Sequence, residues 1–118
     1  MSRIHPISIK HLVSAQLMGR ATDFYHNTFG FKILLTSEYW SEMDMMGNIL
    51  AFHGGGDGRL NKVGISFTVP DIYIACEAVE SNGGRIITPP EDRGVEGIYL
   101  SEFADTEGNI LMLSQVKG

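Results

Sequence analysis

His11, His53, Glu102 and Gln115 are the side chains whose types and placement could do chemistry in this 118-residue sequence. Imidazole binds divalent metals and carries protons near neutral pH, so the two histidines are candidate metal ligands or a catalytic base. Glu102 is a candidate general base. Lys10 could pair with a ligand anion, or could lower its pKa on desolvation. Packed or edge histidines are the alternative interpretation, which we favour.

Composition restricts the function classes. The net charge of −5 disfavours nucleic-acid binding, which needs basic patches. No segment approaches the roughly 18 apolar residues of a membrane span, and the first ten residues lack the apolar core of a signal peptide. Cys76 is the single cysteine, so no internal disulfide can form. We therefore expect one soluble, cytoplasmic domain over residues 1–118.

The first half of the chain reads as strand, helix and three strands. Alternating residues predict a strand over 7–15, and helical spacing predicts a helix over 19–30 that ends at Gly30. Further strands are predicted at 31–36, 37–46 and 48–53. The hairpin around Tyr39, Trp40 and Met46 is rich in aromatic and thioether side chains, which suits a ligand-facing rim, a dimer interface or ordinary core.

The second half repeats this order. Strands are predicted at 62–69, 85–88, 97–103 and 109–115, with a helix from the N-cap Asp71 to Gly83 and a loop over 89–94. The tetrapeptide Gly-Asn-Ile-Leu opens the last strand of both halves, at 47–50 and 108–111. The repeat predicts two βαβββ units, about 1–56 and 57–118, joined by the glycine-rich run 54–58.

This layout resembles the vicinal oxygen chelate superfamily, which includes glyoxalase I, bleomycin-resistance proteins, fosfomycin-resistance enzymes and extradiol dioxygenases. The resemblance rests on ATDFYHNTFGFKI after the first strand and on SNGGRIITPP and FADTEGNILML near the end. It implies an α+β fold in which the two units form a cupped, eight-stranded mixed sheet around a cavity, with the helices on its outer face. It also implies a homodimer.

Many members of this superfamily hold a divalent metal through four residues on the first and last strand of each unit. Counting from the motifs, the resemblance places these positions at Lys10, Leu50, Gly64 and Met112. A protonated amine, an alkyl chain, a hydrogen and a thioether are poor ligands for Mg, Mn, Ni, Zn or Fe. We therefore expect no metal and no other cofactor.

The phase of the strands decides which side chains line the cavity, because successive residues face opposite sides of a sheet. The apolar pattern places residues such as Val13, Ile49 and Leu113 under the helices. The predicted cavity residues are then Lys10, Leu12, Ser14, Leu50, Phe52, Ser66, Thr68, Met112 and Ser114.

A slip by one residue is the alternative. It would turn His11 and His53 inward, with Gln115, toward a Zn, Ni, Mn or Fe site. It would also bury several hydroxyls and Lys10 under the helices, each hydroxyl without a partner at a cost of about 1–3 kcal/mol.

The predicted function is binding of a small amphipathic molecule without chemistry, as in the bleomycin-resistance proteins that the sequence resembles. A metal-dependent lyase or dioxygenase using the slipped residues is the first alternative. A metal-free isomerase or hydrolase with Glu102 or Lys10 as base is the second.

Overall fold

The structure is a computed structural model that describes residues 2–118, so Met1, the first residue of the predicted first unit, lies outside it. The elements follow the order predicted from the repeat. They are β1 (Lys10–Ala15), α1 (Met18–Phe29), β2 (Lys32–Thr36), β3 (Trp40–Met45), β4 (Asn48–Gly54), β5 (Asn61–Thr68), α2 (Ile72–Ser81), β6 (Arg85–Asp92), the short 3-10 helix η1 (Gly94–Glu96), β7 (Ile98–Ala104) and β8 (Asn109–Val116).

The eight strands form two four-stranded sheets with matching topology. Their orders are β1-β4-β3-β2 and β5-β8-β7-β6, and in each sheet the first and last strands of the unit lie parallel at one side. The predicted α+β class and the two βαβββ units are therefore confirmed. Within the chain the sheets remain separate, and β1 and β5 are both edge strands.

Three predicted element boundaries need correction. The strand expected over 37–46 begins at Trp40. The segment 89–94, expected to be a loop, continues β6 as far as Asp92. Pro89 and Pro90 are tolerated there because β6 is an edge strand and because its register with β7 shifts between Thr88 and Glu91, so neither proline interrupts a regular ladder. Residues 7–9, expected to open the first strand, precede β1 and are exposed.

One hydrophobic core joins the two halves. Phe24 and Phe29 of α1 contact Phe103 of the second sheet, and the Phe29 ring lies 4.9 Å from the Phe67 ring. The other face of each sheet carries exposed side chains, such as Leu12 and Thr68. The helices thus cover one face of each sheet and leave the opposite face open.

A buried polar turn ties the second half to the first. Glu107 of the loop between β7 and β8 accepts hydrogen bonds from the backbone N–H groups of Gln16 and Leu17, at 2.9 and 2.8 Å, and from Arg20 Nε at 2.8 Å. These contacts serve the start of α1, whose N-cap residue Leu17 has no side chain able to accept them.

Further hydrogen bonds join the same turn to α1 and to β1. The Tyr25 hydroxyl donates to Asp105 Oδ2 at 2.7 Å, and Asn109 brackets the backbone of Ser14, accepting from its N–H and donating to its carbonyl. The motif Asp-x-Glu-Gly-Asn is thus an inter-half clamp that fixes the end of β1.

No helix between Ser2 and Gly118 is both long and apolar enough to span a bilayer.

Candidate functional site

The first sheet has an open face on the side away from the helices. Lys10, Leu12 and Ser14 of β1 point there and are exposed, as the sequence phase predicted. The parallel register places Leu12 beside Ala51 and Ser14 beside His53, so His53 lies on this same face. We call this surface, defined by Lys10, Leu12, Ser14 and His53, the first open face.

The predicted phase of β4 is wrong. Leu50 and Phe52 were expected to face the cavity, but both are fully buried, and the Phe52 ring lies 5.5 Å from the Tyr25 ring of α1. Ile49 and Ala51 take the opposite side. The run Ile49–Phe52 is apolar at every position, so alternation could not fix its phase, and the two large side chains occupy the core beside α1.

An aromatic and acidic cluster adjoins the first open face. Trp40 of β3 pairs across the strand with His53, and the two rings meet edge to face at 6.3 Å. The indole N–H donates to Glu42 Oε2 at 2.8 Å. An aromatic plane beside a carboxylate suits a planar ligand that carries positive charge.

The second sheet has a corresponding open face, which is more polar. Ser66 lies beside Met112 and Thr68 beside Ser114 in the parallel register of β5 and β8, and the Thr68 and Ser114 hydroxyls are 3.0 Å apart. Glu102 pairs with Met112 across β7 and β8. The second open face is defined by Ser66, Thr68, Glu102, Met112 and Ser114.

Glu102 is held as an ionised hydrogen-bond acceptor. Thr88 Oγ1 donates to its Oε1 at 2.9 Å, and Lys62 Nζ lies 3.3 Å from its Oε2. The Thr88 hydrogen bond, assisted by Lys62, lowers the pKa of the Glu102 carboxyl. A lowered pKa makes this group a weak proton acceptor near neutral pH, because efficient general bases have pKa values near the operating pH.

A cavity of about 300 Å³ opens beside Glu102. Its walls combine charged side chains with an apolar floor, and it is lined by Thr88, Glu91, Arg93, Leu100, Ser101, Glu102 and Met112. This volume is at the lower end of the range for small-molecule pockets.

Apart from the buried Leu50 and Phe52, the predicted cavity residues divide between the two open faces. The cavity beside Glu102 is lined by second-half residues alone. A larger cavity, of about 790 Å³, contains Ser66 and Thr68 but none of Lys10, Leu12 and Ser14. One chain therefore does not bring the predicted set together.

The alternative metal ligands, His11, His53 and Gln115, are also not brought together. His11 lies beside Leu50, on the helix side of β1, whereas His53 lies on the first open face. Gln115 Oε1 accepts from the Ile72 N–H at 2.8 Å, so it caps the start of α2. A one-residue slip of both strands would have turned the two imidazoles to the same side. The observed register shifts only β4, which separates them.

The residues at the superfamily's metal positions do not fit a catalytic divalent ion. Lys10 and Met112 lie on the two open faces, and Gly64 offers no side chain. Across residues 2–118, no group of three His, Cys, Asp or Glu side chains is arranged to hold an ion. An ammonium and a thioether are unsuited to Mg, Mn, Ni, Zn or Fe, so these positions give no ligand set through which a metal could act.

Four polar residues of the open faces carry no signal in the sequence that would assign them to a face. Lys62 and Thr88 fall on predicted strands, and Trp40 and Glu42 fall in the predicted hairpin. The cross-strand pairs of Trp40 with His53 and of Thr88 with Glu102 assign these faces. Alternation with Ser66 and Thr68 along β5 agrees with the open-face position of Lys62, but its contact with Glu102 depends on the register with β8, which shifts between Lys62 and Ser66.

Comparison with known proteins identifies the family. The family model described as "Glyoxalase/Bleomycin resistance protein/Dioxygenase superfamily" matches residues 8–113. No curated protein matches the chain in sequence.

Solved structures match at low sequence identity. The fosfomycin resistance protein FosX of Listeria monocytogenes superposes with a TM-score of 0.78 at 15% identity, over 96% of this chain and 94% of that one. TioX of Micromonospora sp. ML1 gives 0.74 at 18%, over 94% and 99%. A glyoxalase/bleomycin resistance protein/dioxygenase family enzyme of Burkholderia phytofirmans gives 0.76 at 15%, over 91% and 96%. At these identities the likeness establishes the fold alone.

Proposed function

Because the chain belongs to the glyoxalase/bleomycin resistance protein/dioxygenase superfamily, we propose that it binds a small amphipathic molecule at its open faces without a metal ion. The observation that carries this proposal is the second open face, where Thr88 and Lys62 hold the Glu102 carboxylate ionised beside a cavity. Hydroxyl groups of Ser66, Thr68 and Ser114 lie on the same face. Polar groups that converge on one cavity beside apolar residues such as Leu100 and Met112 can fix the orientation of a small molecule.

The proposal includes a homodimer. Each open face is a half-site within one chain, since the predicted cavity residues divide between two separate sheets. Exposed apolar side chains on the open and edge surfaces, including Leu12, Leu35 and Leu60, support contact with a second copy. Two copies could then enclose a cavity between the first open face of one chain and the second open face of its partner.

The two faces suggest complementary roles for the ligand's parts. Trp40 and Glu42 offer an aromatic plane and a negative charge, which suits a planar, cationic ring system. Glu102, Lys62 and the hydroxyls offer hydrogen bonds to polar substituents. In this proposal Glu102 positions the ligand and transfers no proton.

The test uses Trp40, the single tryptophan, as a reporter of the first open face. Protein freed of metal by chelation is titrated with ethidium, a planar aromatic cation, while indole fluorescence is followed. We expect saturable quenching, and at least a fivefold loss of affinity in Glu102→Gln. The matched control Glu77→Gln, on the exposed side of α2, should bind as the parent does.

Elemental analysis tests the metal-free aspect independently. A divalent ion at near-unit stoichiometry in the purified protein, together with ethidium binding lost on chelation, would overturn the proposal. It would favour the lyase or dioxygenase alternative. Turnover that Glu102→Gln abolishes without weakening binding would instead assign Glu102 as a base.

A further inference from the structure

A β-bulge in β6 turns a second acidic side chain toward the second open face. Thr88 pairs with Glu102 across β6 and β7. The next pair joins Glu91 to Leu100, so an advance of three residues along β6 opposes only two along β7. In a regular strand, residues three apart face opposite sides of the sheet. The bulge at residues 89–90 therefore places Glu91 on the same side as Thr88 and Glu102.

Arg93 continues the same row of charged side chains. Its backbone N–H bonds to the Ile98 carbonyl oxygen at 2.9 Å, which extends the pairing of the two strands past Asp92. Arg93 follows Glu91 by two residues, so it faces the same side, and both line the cavity beside Glu102. Ladder positions two residues apart are separated by about 7 Å along a strand, so Glu102, Glu91 and Arg93 follow one another in steps of that size.

The two carboxylates keep acceptor sites for a ligand. Within residues 2–118, Glu91 takes part in no ion pair. A carboxylate has about four acceptor sites, and Glu102 uses two of them, on Thr88 and Lys62. An ammonium group has three donors, so it can bond to both carboxylates when it lies between them.

The opposite end of the cavity is basic. Arg93 Nη2 donates to Glu96 Oε1 at 3.1 Å, in a partly exposed ion pair of a kind that contributes little to stability. The guanidinium has further N–H donors, and it can bind a carboxylate through two parallel hydrogen bonds. Leu100 lines the cavity two residues from Glu102 along β7, so the surface between the acidic and basic ends is apolar.

We propose that the cavity beside Glu102 binds an amino carboxylate whose primary amine and carboxylate are joined by an apolar chain. The ammonium lies between Glu102 and Glu91, and the carboxylate binds Arg93. The apolar chain of the ligand packs on Leu100. The volume of about 300 Å³ suits a molecule of this size. This inference rests on the proposed function, because it names the class of polar group that the second open face binds.

Three probes of equal chain length test the two ends of the cavity. δ-Aminovalerate carries both charged groups, n-pentylamine carries the amine alone, and valerate carries the carboxylate alone. Chemical-shift titrations of the isotope-labelled protein measure the three dissociation constants. We expect δ-aminovalerate to bind roughly fivefold more tightly than either of the others, as one additional, partly exposed ion pair would give. Equal affinities for δ-aminovalerate and n-pentylamine would overturn the proposal.

Replacement of the basic residue should remove the preference for a carboxylate. In Arg93→Gln we expect δ-aminovalerate to bind no better than n-pentylamine, while n-pentylamine binds as it does to the parent. Arg59→Gln is the matched control, because Arg59 also makes an exposed ion pair, with Asp57, but lies outside the cavity. A preference that survives in Arg93→Gln would contradict the assignment.

Replacement of the acidic residue should affect the amine alone. We expect Glu91→Gln to weaken δ-aminovalerate and n-pentylamine roughly fivefold and to leave valerate unchanged. Glu77→Gln, on the exposed side of α2, is the control. An equal loss for all three probes would count against the proposal, because it would indicate a general change in the cavity and no contact with the ammonium.

The isomer norvaline tests the order of the charges. It has the composition and charge of δ-aminovalerate, but a single carbon joins its amine to its carboxylate. Because the acidic and basic residues are separated along the strand, we expect norvaline to bind more weakly than δ-aminovalerate. Tighter or equal binding of norvaline would refute the spaced arrangement.

The ethidium titration distinguishes failure of this inference from failure of the proposed function. Ethidium binding that depends on Glu102, without any preference for δ-aminovalerate, would refute the amino carboxylate and leave the proposed function standing. Absence of binding for ethidium and for every amine probe would refute both.

Discussion

The two turns that lead into Gly-Asn-Ile-Leu share their aspartate, glycine and asparagine but have opposite environments. Asp-Met-Met-Gly-Asn (44–48) joins β3 and β4, and Asp-Thr-Glu-Gly-Asn (105–109) joins β7 and β8. In the second turn Glu107 is 2% exposed and bonded to the start of α1. In the first turn the equivalent residue, Met46, is 86% exposed and has a positive φ of 56°.

The N-termini of the two helices explain why Glu107 is buried whereas Met46 is exposed. α2 has its own N-cap, Asp71, which accepts from the N–H groups of Tyr73 and Ile74, and this prediction is confirmed. α1 has Leu17 at its N-cap position, whose side chain cannot cap, and depends on Glu107 from the other half. A duplicated unit has thus kept its topology, while one copy supplies the cap that the other lacks.

The two turn glycines offer the sharpest contrast. Gly108 has a φ of 91°, and a Cβ there would collide with the Arg59 carbonyl oxygen. Gly47 has a φ of 85° but open space around it. We expect Gly108→Ala to cost about 3 kcal/mol or more, from left-handed strain and displaced backbone together, and Gly47→Ala about 1 kcal/mol from strain alone. Urea unfolding at one protein concentration measures both, and equal losses would contradict the clash.

Glu107 of the second turn should contribute far more to the free energy of unfolding than its counterpart Met46. Glu107→Ala leaves Arg20 and two backbone N–H groups without their acceptor, so we expect a loss of about 3 kcal/mol in unfolding free energy. Met46→Ala should change it by less than about 0.5 kcal/mol when measured on the monomer, because the side chain contacts solvent. A small effect of Glu107→Ala would show that water replaces the cap.

Asparagine in the two turns gives a third matched pair. Asn109 is buried and bonds both backbone groups of Ser14, so its replacement by alanine should cost about 2 kcal/mol. Asn48 is exposed, and Asn48→Ala should stay within about 0.5 kcal/mol. Chemical denaturation measures both. A comparable loss from Asn48 would indicate that the first turn has a partner in solution.

The two acidic residues of the inter-half clamp, Glu107 and Asp105, should contribute to stability with opposite pH dependences. Burial acts against the Glu107 carboxylate, but hydrogen bonds from Arg20, Thr106 and the backbone outweigh it and lower the pKa. Glu107 therefore stabilises the fold above its unfolded pKa, and this contribution is lost as the pH falls through its folded value. Burial raises the pKa of Asp105 despite its hydrogen bonds, so its contribution is present at low pH and lost as the pH rises.

Unfolding free energies from pH 3 to 8 test these signs. The advantage of the parent over Glu107→Gln should shrink toward acid, and its advantage over Asp105→Asn should shrink toward neutrality. Parallel profiles for the two variants would contradict the opposite shifts.

Much of the fold followed from local patterns. Alternation, helical spacing, Gly30 and the Asp71 cap located both helices and all eight strands. β6 ran longer than predicted because its two prolines lie at a register shift in an edge strand, where they do not end the strand. The side chains that line the open faces were harder to predict. β5 alternates clearly, whereas the apolar run Ile49–Phe52 could face either way, and this ambiguity misplaced Leu50 and Phe52.

The sequence by itself determined the duplicated βαβββ units and the chemical types at the superfamily's metal positions, because these depend on local order and residue identity. Only the tertiary structure decided that His11 and His53 lie on opposite sides of one sheet, that Glu107 caps a helix 90 residues away in sequence, and that the open faces are separate within a chain. Those outcomes depend on strand register and on packing between the halves, which no stretch of residues encodes alone.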